Sequence, residues 1–115
     1  MEKTQGKFAQ SNRNRRGHDF YAGLDGIPPL YTTEDIPAEN KTIHAHYFVG
    51  GADWWIAELD PGTMEAFGYC KIQTGEWGYV SLPELEAVVA GPLIAVVERD
   101  PHWTVRPFRD CRSGS

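Results

Sequence analysis

From Thr42 onward the chain alternates between apolar and polar positions. Ile43, Ala45, Tyr47 and Val49 fall on one side of an extended segment, and His44, His46 and Phe48 fall on the other. This is the period-two signature of a strand. Gly50-Gly51 interrupts it with two residues that take positive φ at no steric cost, a strong hairpin signal. Residues 53–59 then predict the return strand, with Trp54, Ile56 and Glu58 on one face and Trp55, Ala57 and Leu59 on the other. A two-residue or a four-residue loop gives the same parity. Ile43, Ala45, Tyr47 and Val49 join Trp54 and Ile56, while His44 and His46 join Trp55 and Ala57.

Asp60-Pro61-Gly62-Thr63 is a turn, with proline pre-setting φ at its second position and glycine following. A third strand over about 65–72 and a fourth over about 77–80, separated by Thr74-Gly75, make the unit an antiparallel meander. Ser81-Leu82-Pro83-Glu84 marks a helix start: Ser81 caps, Pro83 lies in the first turn and Glu84 completes a capping box. Leu82, Leu85, Val88 and Val89 recur at helical spacing and predict the face turned to the sheet, with Gly91-Pro92 as the stop. Residues 93–97 predict a fifth, buried strand and residues 102–108 a last extended piece. The class expected is α+β: an antiparallel β-meander with one helix packed on a face, an extended N-terminal lead-in and a C-terminal strand.

Ahead of the meander, Ile27-Pro28-Pro29-Leu30-Tyr31 is forced to be extended, because each proline biases its predecessor away from the helical region. Residues 1–26 are polar and irregular, with Phe20 and Tyr21 as docking points. They are read as a basic, flexible arm, of which residues 1–18 make no core contact, preceding a single domain over residues 27–115.

Composition narrows the class further. A chain of 115 residues, 41% hydrophobic and 23% charged, has the balance of one globular domain. No apolar run approaches the ~20 residues that span a bilayer, and the positive N-terminus lacks the apolar stretch of a signal peptide. The expectation is therefore a cytoplasmic protein without a membrane role, with Cys70 and Cys111 as reduced thiols. Residues 1–20 hold five basic and two acidic side chains, a net of +3, while the rest hold six and fourteen, a net of −8. An acidic body repels phosphates, which argues against duplex DNA as a partner.

The ordered segments from Ile27 onward resemble a known family. Ile27-Pro28-Pro29-Leu30-Tyr31-Thr32-Thr33-Glu34-Asp35 leads to the aromatic hairpin that closes on Glu58-Leu59-Asp60-Pro61. Ala66-Phe67-Gly68-Tyr69-Cys70, Glu76-Trp77-Gly78-Tyr79-Val80-Ser81-Leu82-Pro83-Glu84-Leu85-Glu86 and Val97-Glu98-Arg99-Asp100-Pro101-His102-Trp103 come after it. Over residues 27–108 this resembles the domain-of-unknown-function family 2958, small proteins of conjugative plasmids and other mobile elements. The resemblance implies a cytoplasmic accessory protein of mobile DNA with no assigned activity. By that company it points to a partner in a host defence system, restriction or CRISPR.

Candidate chemistry is sparse. His44 and His46, two apart on a strand, have the spacing of a metal pair but no marked third ligand, so no metal or cofactor is expected. Glu98-Arg99-Asp100 with His102 reads first as an ion-paired corner and, alternatively, as an anion site in which His102 acts as base. Glu58 is a carboxylate beside aromatic surface. Ser81 has no Gly-x-Ser-x-Gly context and is a cap.

Three functions compete. The first is a non-enzymatic protein-interaction module whose partner face centres on Trp55 with His44 and His46. The second is a small metal- or ligand-binding enzyme using His44, His46, Glu58, Arg99 and His102. The third is a single-stranded nucleic-acid binder using the arm and the rings. The sequence carries no sign of an oligomeric state.

Overall fold

Turn and cap chemistry sets the order of elements in the computed structural model, which describes residues 10–90 and 95–113. One helical turn, Arg13–Arg16 (α1), ends at Gly17, whose φ of 84° is the left-handed conformation glycine takes at a helix C-terminus. The alternating run comes next as Thr42–Ile43 (β1) and, after a break at His44, as Ala45–Val49 (β2). Gly50, at φ 55°, closes a tight loop onto Ala52–Asp60 (β3). Glu65–Lys71 (β4) and Gly75–Ser81 (β5) complete the meander. Helix Leu82–Ala87 (α2) starts where the Ser81 hydroxyl accepts the Glu84 backbone N–H at 3.3 Å, with Pro83 in the first turn. Short strands Val89–Ala90 (β6), Ala95–Val96 (β7), Glu98–Arg99 (β8) and Arg106–Pro107 (β9) precede the helix Phe108–Ser113 (α3).

The central sheet has the order β5-β4-β3-β2-β8, and every pairing in it is antiparallel. The predicted α+β meander is therefore the architecture observed, with Tyr47 opposite Trp54 and His46 opposite Trp55 as parity required.

Several expectations need correction. The break at His44 shifts parity by one residue, so Ile43 packs with Trp55 rather than with Ala45, and β1 pairs with β9 outside the main sheet. A bulge between Ile56 and Glu58 likewise moves Glu58 off the face of Trp54 and Ile56. Helix α2 stops at Ala87: Val88 is its extended C-cap and Val89 enters β6, leaving both valines exposed while Glu86 turns inward. Of the predicted fifth strand, residues 93 and 94 lie outside the described part. Ala95–Val96 pairs with β6, and only β8 joins the central sheet, beside Tyr47 and Phe48.

Each face of the sheet has its own core. On one, Tyr47, Trp54, Ile56, Leu59 and Ala66 pack against Phe20 and against Leu82 and Leu85 of α2. On the other, Ile43, Trp55 and Ala57 pack under Phe108 and Cys111 of α3, flanked by Tyr69, Trp77 and Trp103. The predicted extended piece over 102–108 is strand only at β9, and Phe108 begins a helix that carries the second cover.

The described part of the arm is built into the first core, contrary to the expectation that residues 1–18 make no such contact. Phe20 is fully buried, and the Tyr47 hydroxyl donates to its carbonyl at 2.8 Å. Arg16 and Glu86 form an ion pair at 3.0 Å with both side chains buried. The Arg16 Nε donates to the Val97 carbonyl at 2.6 Å, and its guanidinium lies 4.5 Å from the centre of the Phe20 ring. Glu86 also accepts the backbone N–H groups of Ser11 and Asn12 at 3.0 and 2.9 Å. A buried carboxylate is tolerated only when its acceptor sites are filled in this way.

Removing one partner strands the other charge. Arg16→Met, or deletion of residues 1–18, is expected to lower unfolding free energy by about 3–5 kcal/mol, and adding Glu86→Leu to either should recover part of the loss. Urea titration of the single and double variants checks this, and an unchanged midpoint for Arg16→Met would refute it.

Candidate docking cleft

The bulge decides what the outer part of the second face presents. With Glu58 opposite Phe67, and Phe67 opposite Tyr79, a carboxylate and two rings line up across β3, β4 and β5. The proline-rich lead-in completes the hollow. Its Pro28 carbonyl accepts the Leu59 N–H at 2.9 Å, which lays the lead-in along β3 where β2 has ended. The chain then reverses through Tyr31, whose φ of 71° is uncommon for a residue with a side chain.

Glu58 holds that reversal. Its carboxylate accepts the Tyr31 N–H at 2.7 Å and the Thr33 N–H at 2.9 Å, and also the Thr33 hydroxyl. The Lys41 ammonium donates to the Thr33 carbonyl and, at 3.1 Å, to the same hydroxyl. Glu58 is only 2% exposed, so these donors replace the water it gives up.

The result is an open cleft of about 250 Å³ lined by Tyr31, Glu34, Lys41, Glu58, Phe67 and Tyr79. The Tyr79 ring centre lies 6.0 Å from that of Tyr31 and 5.0 Å from that of Phe67. Tyr31 is 60% and Tyr79 50% exposed. Partial desolvation, then the adjoining Tyr31 and the charges of Glu58 and Glu34, push the Tyr79 phenol above its ordinary value. The cleft is thus aromatic and of negative field. A second hollow of about 280 Å³ lies beside β5, lined by Cys70, Ile72, Gln73, Thr74 and Glu76. Burial, and then the Glu76 charge, raise the Cys70 thiol, which keeps it from being a ready nucleophile.

Most residues singled out from the sequence lie elsewhere. Trp55, expected at the centre of an open face, is 5% exposed and belongs to the second core. His46 stacks on it with ring planes 10° apart and faces Asp53 at 2.8 Å and Asp100 at 3.1 Å. Each of its ring nitrogens thus meets a carboxylate, a group that only accepts when ionised. His44 stands at the strand break, where its backbone N–H donates to the Ile56 carbonyl at 2.8 Å.

The corner expected around Arg99 is divided among several partners. Arg99 donates to the Asp19 carbonyl at 3.1 Å, Glu98 pairs with His18 at 2.7 Å, and Asp100 takes His46. His102 is exposed, with its backbone N–H on Asp100 at 3.0 Å. Glu58 is thus the one predicted site residue in the cleft. Nothing in the sequence marks its neighbours Tyr31, Phe67 and Tyr79 beyond their being aromatic. Among the described residues, no three His, Cys, Asp or Glu side chains are grouped to hold a metal ion, and no helix is long and apolar enough to cross a membrane.

The chain matches the model of DUF2958, a protein family of unknown function, over residues 37–108, and it belongs to that family. No curated protein and no solved structure matches it.

The His46 corner gives the fold an acid limb. Burial works to raise the Asp100 carboxyl, but hydrogen bonds from His46 and the His102 N–H outweigh it and hold the group below 3.8. Its contribution is therefore complete above that value and lost as the pH falls through the lowered one. Burial also holds His44 below 6.5. The unfolded chain takes that proton first, so stability declines as the pH falls through 6.5 toward the folded value. Urea midpoints should fall in two steps as the pH is lowered from 8, the second lying below 3.8. His44→Asn should remove the upper step and Asp100→Asn should reduce the lower; persistence of both in the double variant would refute the assignment.

Proposed function

We propose that this family member is a non-enzymatic protein-interaction module that docks its partner through the cleft between the 31–34 loop and strands β4 and β5. The observation that carries the reading is the pair of half-open rings, Tyr31 and Tyr79, set side by side over carboxylates. Rigid aromatic side chains bury much area at little cost in side-chain entropy and are the usual energetic anchors of an interface. Acids around them favour a partner of opposite sign and speed its approach.

An enzymatic reading has less to stand on. Glu58 is saturated by three donors, while Arg99 and His102 are engaged or exposed in other parts of the fold. In the mobile-DNA setting that the sequence resemblance implies, the partner this favours is a nucleic-acid-handling defence protein, of the restriction or CRISPR kind. Its basic channel would accept an acidic surface in place of phosphates.

The test is an immobilised wild-type chain beside Tyr31→Ala/Tyr79→Ala, each confirmed as folded by circular dichroism, with a remote Val105→Ala control. A partner held by the wild type and the control should bind the double variant more weakly by about 2 kcal/mol or more. Glu34→Gln should mainly slow its association. Undiminished binding by the folded double variant would remove the cleft from consideration.

A further inference from the structure

Resting on that reading of the cleft, we infer that the bound part of the partner is an extended basic segment that adds to the sheet as a new strand beside β5. Strand β5 is the outer strand of the five-stranded sheet. It pairs with β4 without a break from Gly75 opposite Lys71 to Ser81 opposite Glu65. Among the described residues no strand pairs with its other side. Every second residue of an antiparallel strand turns its N–H and C=O outward, so this edge offers a ready row of donors and acceptors.

Edges of this kind are usually blunted by proline, lysine, a bulge or a covering segment. Gly75-Glu76-Trp77-Gly78-Tyr79-Val80-Ser81 has no proline, no lysine and no bulge, and its one charge is Glu76. Gly78 leaves the middle of the strand low, with nothing within 4 Å of the place a side chain would start. A neighbouring backbone is free to approach there.

The two hollows then fall where an added strand would need them. Successive side chains of a strand point to opposite faces. On one face the added residues would meet Tyr79 and the cleft behind it; on the other they would meet Glu76 and the hollow walled by Cys70 and Ile72. Each face carries acid: Glu34 and Glu65 on the side of the cleft, Glu76 on the other. Lys41 within the cleft and Lys71 opposite Gly75 offset part of it, but against Glu34, Glu58, Glu65 and Glu76 they leave the edge an excess of negative charge. A lysine or arginine side chain gains there both from the carboxylates and from the faces of the rings. The same charges disfavour a second copy of this acidic chain as the occupant.

The probe is a synthetic peptide as long as β5 in which lysine alternates with valine and threonine, titrated into isotope-labelled full-length protein. Two companions are used: a twin N-methylated at alternate residues, which removes the backbone donors, and a twin with glutamate for lysine. The expected result is binding that perturbs amides 75–81, slows their hydrogen exchange and weakens with salt. N-methylation or charge reversal should cost about tenfold or more in affinity. An N-methylated twin that binds as well as its parent, perturbations away from β5, no binding by the parent peptide, or pairing of β5 with a second copy in sedimentation would each overturn strand addition. Because these readouts lie in the peptide, they are separate from the cleft variants. Partner binding that depends on Tyr31 and Tyr79 while β5 amides stay unprotected would leave the docking reading standing and reject only its mode.

Discussion

Between Ile56 and Leu59, strand β3 carries one residue more than β4 opposite it, and the outer half of the second face depends on that insertion. Strict alternation would turn Glu58 into the core of Trp54, Ile56 and Leu82, where an ionised carboxylate has nothing to accept from. With the bulge, Glu58 stands opposite Phe67 and gathers the donors of Tyr31 and Thr33. A local change of register thus creates a polar anchor, the anchor fixes a left-handed residue in the loop, and the loop sets Tyr31 beside Tyr79. Gly68 belongs to the same device. A Cβ there would lie 2.0 Å from the Trp55 carbonyl oxygen, so only glycine admits the close approach of β4 at the bulge.

The two ends of the described chain cover the two faces of the sheet, and among the described residues no strand pairs with the outer side of β5. The N-terminal segment reaches the first face through Arg16 and Phe20, and α3 closes the second through Phe108. Phe108 reaches Tyr69 of β4 and Trp77 of β5, with ring centres 4.7 and 4.9 Å away, but it does not line the cleft. The Arg16–Glu86 pair joins positions 70 residues apart, and a misplaced N-terminal segment would leave the helix carboxylate buried without a partner.

Local signals in the sequence are reliable where the structure is local. The Gly50-Gly51 hairpin, the meander and the Ser81 cap all arise from short-range sterics and hydrogen bonding, which neighbouring residues determine. The strand breaks at His44 and at Ala57–Glu58 have no comparable signature, because neither glycine nor proline marks them. Each reverses the parity of the strand around it, so simple alternation misplaces Ile43 and Glu58. The buried role of Glu86 is illegible for another reason: on the sequence it is one more helix acid, and only the arrival of Arg16 and the 11–12 backbone makes it an interior residue. Trp55 fails as a surface candidate because the C-terminal segment, whose pattern predicts extended chain, forms a helix with Phe108 and Cys111 on its inner side. The rings of the cleft carry no signal in the sequence beyond their type, and alternation puts its one predicted member, Glu58, on the wrong face.

An uncovered strand edge is ordinarily a hazard, since it pairs with any extended chain, including another copy of itself. In the strand-addition mode proposed above, this protein's charge distribution makes the edge selective. The chain beyond residue 20 carries a net charge of −8, so two copies approaching edge to edge bring like charges together, including Glu76 of each β5. The repulsion between exposed charges is modest at contact, about 1 kcal/mol for a pair at 4 Å in water, and it is screened beyond ~8 Å at physiological salt. Such terms are too weak to hold a complex together, but they act on every encounter and with opposite sign for acidic and basic partners. Affinity must then come from backbone pairing and from burying Tyr31 and Tyr79, while the acids decide which chains reach that geometry. On that proposal the net charge of −8 and the unblunted edge are one arrangement: the charge disfavours self-pairing without the prolines, lysines or bulges that would also exclude a partner strand.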